Sequence, residues 1–283
     1  MSVEIRPAGP GDVDQAARLL HAKMDPSIPL DRWHRIMAYD WGTRKPDWGI
    51  VAVDGDRVVG FHGCIYSERT IAGRAELFGN FTSMYLLKAY RSKELGIGMM
   101  KAHAARADTT YSVYDASPRI HHLLEGIGFV KLDQARLIWR RRGPPSLRVL
   151  TDPAEIRPLL ATDQQRLLDD HGDLAAHPHL ALTDDGPCLL FFTVQDRDHG
   201  LDHEVLHAGD PAVLAGHAQA IADAILPDQP ARLAVDSRFL AGHATSGRRE
   251  VLPTQRYVKT TRVAPAKVDH LYSETLLLEL KTG

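Results

Sequence analysis

The stretch YRSKELGIGMMKAHA, residues 90–104, contains the residues of this sequence best suited to binding a ligand. Gly96 and Gly98 follow a run of strand-forming residues and precede a helical pattern that we place at 99–107. A glycine-rich turn at the start of a helix leaves backbone N–H groups free, and the helix dipole favours negative charge there. The stretch therefore predicts an anion site, and a pyrophosphate fits it.

Two common nucleotide-binding motifs do not match this stretch. A Walker loop requires Gly-Lys-Ser/Thr after its glycines, and a Rossmann loop requires G-x-G-x-x-G within an early βαβ unit. For a lone G-x-G, a tight turn between a strand and a helix with no ligand is the alternative. A second motif is needed to decide between turn and binding site, and residues 123–129 supply it.

Two motifs together resemble the GNAT superfamily of N-acetyltransferases. KELGIG at 93–98 is similar to the family's acyl-CoA loop, Q/R-x-x-G-x-G/A, and Tyr-Arg at 90–91 resembles the pair that usually precedes it, moved two residues upstream. LLEGIGF at 123–129 is similar to the family's later helix ending in L-Y-E-x-x-G-F. The order of predicted strands and helices over residues 3–142 also matches the family.

The resemblance implies a fold in which acetyl-CoA, or another acyl-CoA, lies in a gap between two splayed parallel strands. It implies that the loop holds the pyrophosphate and that the end of the preceding strand pairs with the pantetheine arm, with a backbone N–H polarising the thioester carbonyl. An amine would then attack the thioester directly, and no metal is implied. Carried over by position, the cofactor-binding residues are expected to be Leu86, Leu87, Arg91, Lys93, Glu94, Leu95, Gly96, Ile97, Gly98 and Met99.

The sequence departs from the family where the base is expected. Direct transfer requires that a general base remove a proton from the amine. The family often has a carboxylate on the long strand before the loop, but this chain has Asn-Phe-Thr-Ser at 80–83. None of these side chains takes a proton near neutral pH, so we expect Ser83, or one of its polar neighbours Asn80 and Thr82, to hold a water that acts as the base.

The expected acid is also missing. The family's Tyr, which protonates the leaving thiolate, is replaced here by Leu124. Tyr114, with Asp115 and Ser117, follows the strand predicted at 109–113, and Tyr85 lies near the end of the long strand. Tyr114 and Tyr85 are therefore candidate acids, with half-buried packing as the alternative role for each. A thiolate is also a good leaving group, so an acid is not indispensable.

Length and internal similarity favour two domains in a chain of 283 residues. RRRGPP at 140–145 is the strongest linker candidate, so we predict a GNAT-like catalytic domain at 1–142 and a degenerate GNAT-like domain at 143–283. No G-x-G follows a strand in the second half. The predicted fold class is α/β with a mixed sheet, as two GNAT-type domains in tandem. The second domain is expected either to cover the open edge of the first domain or to help form the acceptor pocket, and the tryptophans of the segment at 33–48 either to form another wall of that pocket or to pack in the core.

Charge and hydropathy argue against several classes of protein. The net charge is -2, from 34 basic and 36 acidic side chains, which does not favour a nucleic-acid binder or a membrane-surface binder. No apolar run approaches the roughly 20 residues of a membrane span, and the N-terminus lacks a signal-peptide pattern. Cys64 and Cys188 lie in separate strand-like runs, so no disulfide is indicated. We expect a cytoplasmic protein, either a monomer or a homodimer.

Two other groups of residues have ordinary explanations. His199, His203 and His207 recur every four residues, as metal ligands on a helix do, but Gly200 and the strand-forming run at 204–206 favour a strand with exposed histidines. Cys64 has no basic neighbour in the sequence, so we predict a buried structural thiol and not a nucleophile.

These observations predict an N-acyltransferase that moves an acetyl or other acyl group from acyl-CoA to the amine of a small-molecule or peptide acceptor. The alternative is a catalytically inactive module that binds acyl-CoA for regulation, because both the strand carboxylate and the Tyr are missing. Transfer of a longer acyl chain would require a wide apolar gap.

Overall fold

The computed structural model describes residues 3–41 and 44–280, without the side chains of Lys93 and Pro253. Its contacts divide the chain into two compact units. Unit 1 contains the described residues up to Val130 together with Tyr257–Arg262 and Tyr272–Leu280, and unit 2 contains Lys131–Arg256 and Val263–Leu271. The division therefore falls before the predicted boundary after Arg142, and the end of the chain contributes to both units.

The described strands and helices have the following bounds. The strands are β1 (Glu4–Pro7), β2 (Ile50–Asp54), β3 (Arg57–Ile71), β4 (Arg74–Leu86), β5 (Thr109–Ala116), β6 (Val130–Trp139), β7 (Arg148–Leu150), β8 (His177–Thr183), β9 (Gly186–Arg197), β10 (Gly200–Ala208), β11 (Ala231–Asp236) and β12 (Arg248–Lys259). The helices are α1 (Val13–Lys23), α2 (Leu30–Ala38), α3 (Lys93–His103), α4 (His121–Gly126), α5 (Pro153–Ile156), α6 (Thr162–His171), α7 (Pro211–Ile225) and α8 (Glu274–Leu277). Among the described residues, no helix is long and apolar enough to cross a membrane.

Unit 1 is built on a mixed sheet. Its strands lie in the order β1-β2-β3-β4-β5, followed by the part of β12 that belongs to this unit. Strands β1 to β4 pair antiparallel, and Asp54-Gly55, a residue pair typical of hairpin turns, joins β2 to β3 with Gly55 at a φ of 62°. Helices α3 and α4 pack on the sheet through the buried residues Met99, Met100 and Leu124.

Strands β4 and β5 are parallel but remain paired over only part of their length. The pairs run from Leu77–Thr109 to Asn80–Ser112, whereas β4 continues to Leu86 and β5 to Ala116. The two strands therefore separate beyond Asn80, and they leave a gap between their carboxyl ends. This gap is the feature that the sequence resemblance implied.

Helix α3 begins at Lys93, earlier than the start predicted at residue 99. Ser92 is its N-cap, and the Ser92 Oγ accepts a hydrogen bond of 3.1 Å from the N–H of Leu95. Gly96 and Gly98 consequently lie inside the helix and not in a loop before it. A Cβ at Gly98 would come within 2.9 Å of the Ile5 Cδ1, so the absence of a side chain there allows the helix to approach β1 closely.

Unit 2 repeats the strand and helix order of unit 1. Its strands lie in the order β6-β11-β10-β9-β8-β7, and α7 connects the parallel pair β10 and β11 as α3 connects β4 and β5. The parallel pairing covers Leu201–Glu204 and Ala231–Ala234, and the register of β10 against β9 shifts between Val205 and His207. The predicted strand around 204–206 is present in β10.

Candidate active site

A β-bulge in β4 lies directly beyond the point where β5 departs. The register between β3 and β4 shifts by one residue at positions 82–83, so β4 carries one residue more than its partner. A bulge leaves backbone groups outside the ladder of sheet hydrogen bonds. The N–H of Ser83 is such a group, and it donates to the Oε1 of Glu274 at 2.7 Å.

Glu274 is the carboxylate that sequence reasoning missed. Its Oε1 also accepts hydrogen bonds from the Thr82 hydroxyl at 2.6 Å and from the Ser83 hydroxyl. The backbone N–H of Glu274 donates to the Oδ1 of Asn80 at 3.0 Å, and the Asn80 amide donates to the Ser112 Oγ at 3.2 Å. The polar residues of β4 therefore hold a carboxylate at the head of the gap. No local pattern around Glu274 gives a signal for this role, because its partners lie in a distant part of the sequence.

Burial raises the pKa of Glu274, although hydrogen bonds from Ser83 and Thr82 act in the opposite direction. The negative charge of Asp115 adds to the rise. A carboxylate with a raised pKa accepts a proton closer to neutral pH than an ordinary glutamate does. Glu274 therefore has the protonation chemistry of a general base.

A cavity of about 900 Å³ opens at this carboxylate. Residues from α2, β4, β5, α4 and the C-terminal segment of unit 1 border it. Its volume is within the usual range for pockets that bind small molecules and cofactors. The three predicted catalytic residues, Ser83, Tyr85 and Tyr114, all border this one cavity.

These three residues differ in their surroundings. Ser83 is buried and bonded to Glu274, so the structure gives it a protein partner in place of the expected water. Tyr114 is 8% exposed, and Tyr85 is half-buried with the Arg91 guanidinium carbon 5.1 Å from its ring centroid.

The residues predicted to hold the cofactor fall into two groups. Leu86 and Arg91 border the cavity, and Arg91 donates from its Nε to the Leu86 carbonyl at 3.0 Å. Arg91, Glu94 and Leu95 also border a shallower depression of about 470 Å³. The side chain of Lys93 lies outside the described part of the chain.

The other predicted cofactor residues are placed differently from the expectation. The backbone N–H of Leu87 already donates to Val59 at 2.9 Å, and its carbonyl accepts from Tyr90 at 2.8 Å, so it has little left to offer a pantetheine arm. The Met99 side chain is fully buried in the core, and Met99 lies, with Gly96, Ile97 and Gly98, beyond the first turn of α3, where backbone N–H groups bond within the helix. The backbone N–H groups left without a helical partner are therefore fewer than predicted and lie nearer to residues 91–95.

The start of α3 carries positive potential from two sources. The N–H groups of Lys93 and Glu94 have no carbonyl partner within the helix, since they belong to its first turn. The exposed Arg91 lies just before that turn, and its charge opposes the positive end of the helix dipole. A bound anion would relieve this repulsion, so the arrangement suits a phosphate group.

The aromatic segment contributes one tryptophan to the cavity and places another elsewhere. Trp33 borders the cavity, and its Nε1 donates to the Asp25 carbonyl at 3.3 Å. Trp41 instead packs against Tyr39 and Tyr272, at ring distances of 4.5 Å and 4.8 Å.

Comparison with known proteins identifies the fold. No protein-family model matches this sequence, and no curated protein matches it. A GCN5-related N-acetyltransferase from Kribbella flavida is 14% identical and matches with a TM-score of 0.54, over 91% of this chain and 71% of that one. A probable N-acyltransferase from Enterococcus faecalis V583 is 10% identical, with a TM-score of 0.55 over 94% of this chain and 74% of that one.

A third structure, a GCN5-related N-acetyltransferase from Anabaena variabilis, is 12% identical and has a TM-score of 0.51, over 93% of this chain and 74% of that one. Identities this low establish a shared fold and not a shared activity. The chain therefore has the GNAT-type fold, which confirms the fold predicted from its two motifs.

Proposed function

We propose that this protein transfers an acyl group from acyl-CoA to an amine, with Glu274 as the general base. The observation that carries the proposal is the half-buried Glu274, whose carboxylate is held at the bulge where β4 and β5 separate. Sequence reasoning found no base on β4, and this chain supplies one from its C-terminal segment.

The residues at the α3 end of the cavity fit the phosphates of a CoA thioester. Arg91 and the free N–H groups at the start of α3 would hold the pyrophosphate. Leu86 and Tyr85, between that end and the bulge, would border the pantetheine arm. The thioester supplies the activated acyl group, and this chain's residues position it and move the protons.

The carboxylates around the cavity fit a cationic acceptor. Glu274 would take a proton from the acceptor's ammonium group, while Thr82 and Ser83 hold the carboxylate in place. The neutral amine then attacks the thioester carbonyl, so that a C–N bond forms, the C–S bond breaks and the nitrogen releases its second proton to solvent. Asp25 and Asp115 also border the cavity and would attract the ammonium form.

We infer that unit 2 is a copy of the fold that does not hold the cofactor. At the start of α7, the Asp210 carboxylate accepts hydrogen bonds from the N–H groups of Ala212 and Val213 at 2.8 Å and 3.1 Å. A phosphate would meet that negative charge at the position where α3 offers free N–H groups. The backbone N–H of His270 also donates to the Leu206 carbonyl at 2.8 Å, so the segment that contains His270 lies against the bulge of β10. Both contacts support the predicted degenerate second domain.

Two measurements on the full chain test the function. Calorimetric titration with acetyl-CoA should show binding that weakens in Arg91→Ala. Release of free CoA thiol should appear with at least one member of a panel of amines. Binding without thiol release for any acceptor would favour the regulatory module that binds acyl-CoA without turnover. Absence of binding to acetyl-CoA and to longer acyl-CoA thioesters would overturn both readings.

A further inference from the structure

A chain of buried hydrogen bonds leads from Asp47 to the same cavity. His62 on β3 and His103 at the end of α3 are 2% and 1% exposed, and their Nδ1 atoms lie 3.0 Å apart. The Nε2 of His103 lies 3.1 Å from the Oδ1 of Asp47, whose Oδ2 accepts a hydrogen bond of 3.0 Å from the Tyr66 hydroxyl. His62 borders the cavity that also contains Glu274. We call Asp47, His103 and His62 the relay.

The contacts of Asp47 fix the tautomers of both histidines. Burial opposes the charge of Asp47, but hydrogen bonds from His103, Gly49 and Tyr66 keep its pKa below the usual value, so it is a carboxylate. An ionised carboxylate only accepts hydrogen bonds, and therefore the Nε2 of His103 carries a proton. When His103 is neutral, its Nδ1 must accept, and the Nδ1 of His62 must donate. The lone pair of the neutral relay then lies on the Nε2 of His62.

When the neutral relay takes up one proton, the hydrogen bond between the two Nδ1 atoms changes direction, and His103 becomes the donor. A proton taken up at the Nε2 of His62 displaces the proton on its Nδ1, which passes to the Nδ1 of His103. The positive charge then lies on His103, 3.1 Å from the Asp47 carboxylate, and His62 remains neutral. This placement matters because burial and the charge of His103 hold the pKa of His62 far below its usual value. His62 therefore transmits a proton without storing one.

His62, the cavity end of the relay, borders the same cavity as Leu124. His62 pairs with Met84 across the sheet, and its ring lies 4.6 Å from that of Phe81. Phe81, Met100 and Leu124 form one cluster, and Leu124 stands where the resembling family has its proton-donating Tyr. In the part of the chain that the structure describes, the Nε2 of His62 has no hydrogen-bond partner.

We propose that the relay protonates the leaving CoA thiolate through the Nε2 of His62, an inference that rests on the proposed acyl transfer. As the C–S bond breaks, sulfur takes the Nε2 proton, and the Nδ1 of His62 takes the proton of His103. The relay is left neutral, and a proton from water restores it. Over a turnover, one ammonium and one thioester give one amide, one thiol and one free proton, so the protons balance.

Four ionisable groups beside the relay stay neutral through the assay, whereas Glu274, which borders the same cavity, has a raised pKa and affects kcat on the acidic side. The Tyr66 hydroxyl contacts Asp47, and the negative charge of Asp47 also raises the pKa of Tyr39, Cys64 and Tyr111. Burial raises the pKa of all four groups, which therefore stay neutral through an assay from about pH 6 to about pH 9.

The first test is the pH profile of kcat with acetyl-CoA and an acceptor found by thiol release. In the wild type, kcat should fall at alkaline pH as the relay loses its proton. His62→Gln and His103→Gln should lower kcat by about 100-fold and abolish this alkaline fall. Tyr114→Phe should retain it. An alkaline fall that persists in both histidine variants, or that disappears in Tyr114→Phe, overturns the relay. A wild type that releases no thiol contradicts the acyl-transfer proposal itself.

A second test needs neither turnover nor a variant that folds. Imidazole nitrogen NMR of the wild-type protein at alkaline pH should show the proton on Nδ1 of His62 and on Nε2 of His103. The opposite pattern, with Nε2 of His62 protonated in the neutral relay, would contradict the proposal.

His171→Gln is a matched control for the pH profile of kcat, because His171 is a 1% exposed histidine of unit 2 that bonds to the Leu167 carbonyl. This variant should keep the wild-type pH profile.

Discussion

Replacing Glu274 with glutamine removes the charge of the cavity carboxylate but keeps its shape. The amide oxygen can still accept hydrogen bonds from Thr82 and Ser83, so the bulge and the cavity should be retained. What is lost is the capacity to take a proton, and general-base catalysis typically contributes about 10²–10⁴-fold to the rate. We expect kcat to fall by at least about 100-fold, equivalent to about 2.7 kcal/mol in the barrier.

The pH dependence gives this prediction a specific signature. Glu274 must be ionised to act as a base, so kcat of the wild type should fall as the pH drops through its raised pKa. The glutamine variant should lack this acidic fall. Glu279→Gln is a control on the same C-terminal segment, because Glu279 is exposed and pairs with Arg32 at 2.8 Å. A glutamine variant of Glu274 that keeps kcat within about threefold, or keeps the acidic fall, would refute the assignment.

Glu274→Gln should raise the stability of the protein at neutral pH, although it lowers kcat. Because the pKa of Glu274 is raised on folding, the folded protein holds this proton more tightly than the unfolded chain does. The stability contributed by the group is therefore present at low pH and is lost as the pH rises from the unfolded pKa through the folded one. Glu274→Gln escapes that loss, so its Tm relative to the wild type should be higher at neutral pH than near pH ~4.

Two further predictions concern the start of α3. Arg91→Ala should weaken acetyl-CoA binding by about 10-fold or more, since one charge-assisted contact to phosphate is worth roughly 1.5–3 kcal/mol, and it should lower Tm slightly because the hydrogen bond to the Leu86 carbonyl is lost; equal affinities in calorimetry would exclude Arg91 from the site. Gly98→Ala should change the free energy of unfolding by less than about 1 kcal/mol, because the Ile5 Cδ1, 2.9 Å from the added Cβ, is the end of a half-buried side chain that can move, and alanine favours a helix. Gly216→Ala, within α7 and with no atom within 4 Å of the added Cβ, should stabilise the protein more than Gly98→Ala, and a larger gain in Gly98→Ala would contradict the packing argument.

The start of α3 shows where local sequence signals compete. The glycines at 96 and 98 favoured a loop, because each glycine in a helix costs about 1 kcal/mol relative to alanine. Ser92 and the helix-forming residues that follow it favoured a helix from residue 93, and this signal prevailed. Packing accounts for a small residue at position 98, since a Cβ there would lie 2.9 Å from the Ile5 Cδ1. That contact is not visible in residues 90–104 alone.

The end of the cavity that fits the cofactor was predictable because it is built from contiguous residues. Tyr-Arg, the N-cap and the glycines lie within one short stretch, and the groups that would hold an anion are mostly backbone N–H groups in sequence order. The same local signals predicted the hairpin at Gly55 and the Gly-Phe that ends the segment after α4. The sequence by itself therefore determined the fold type, as a resemblance carried by two motifs, and it located the stretch that we propose for the anion site.

The groups that would move protons were decided only by the tertiary structure. Glu274 reaches Ser83 from the far end of the chain, and Asp47, His103 and His62 come from a loop, a helix and a strand. Their roles depend on burial, which raises the pKa of Glu274 and lowers that of His62, and on distances of about 3 Å between side chains. A sequence pattern encodes periodicity and local geometry, whereas burial and side-chain contact between distant segments exist only once the chain has folded.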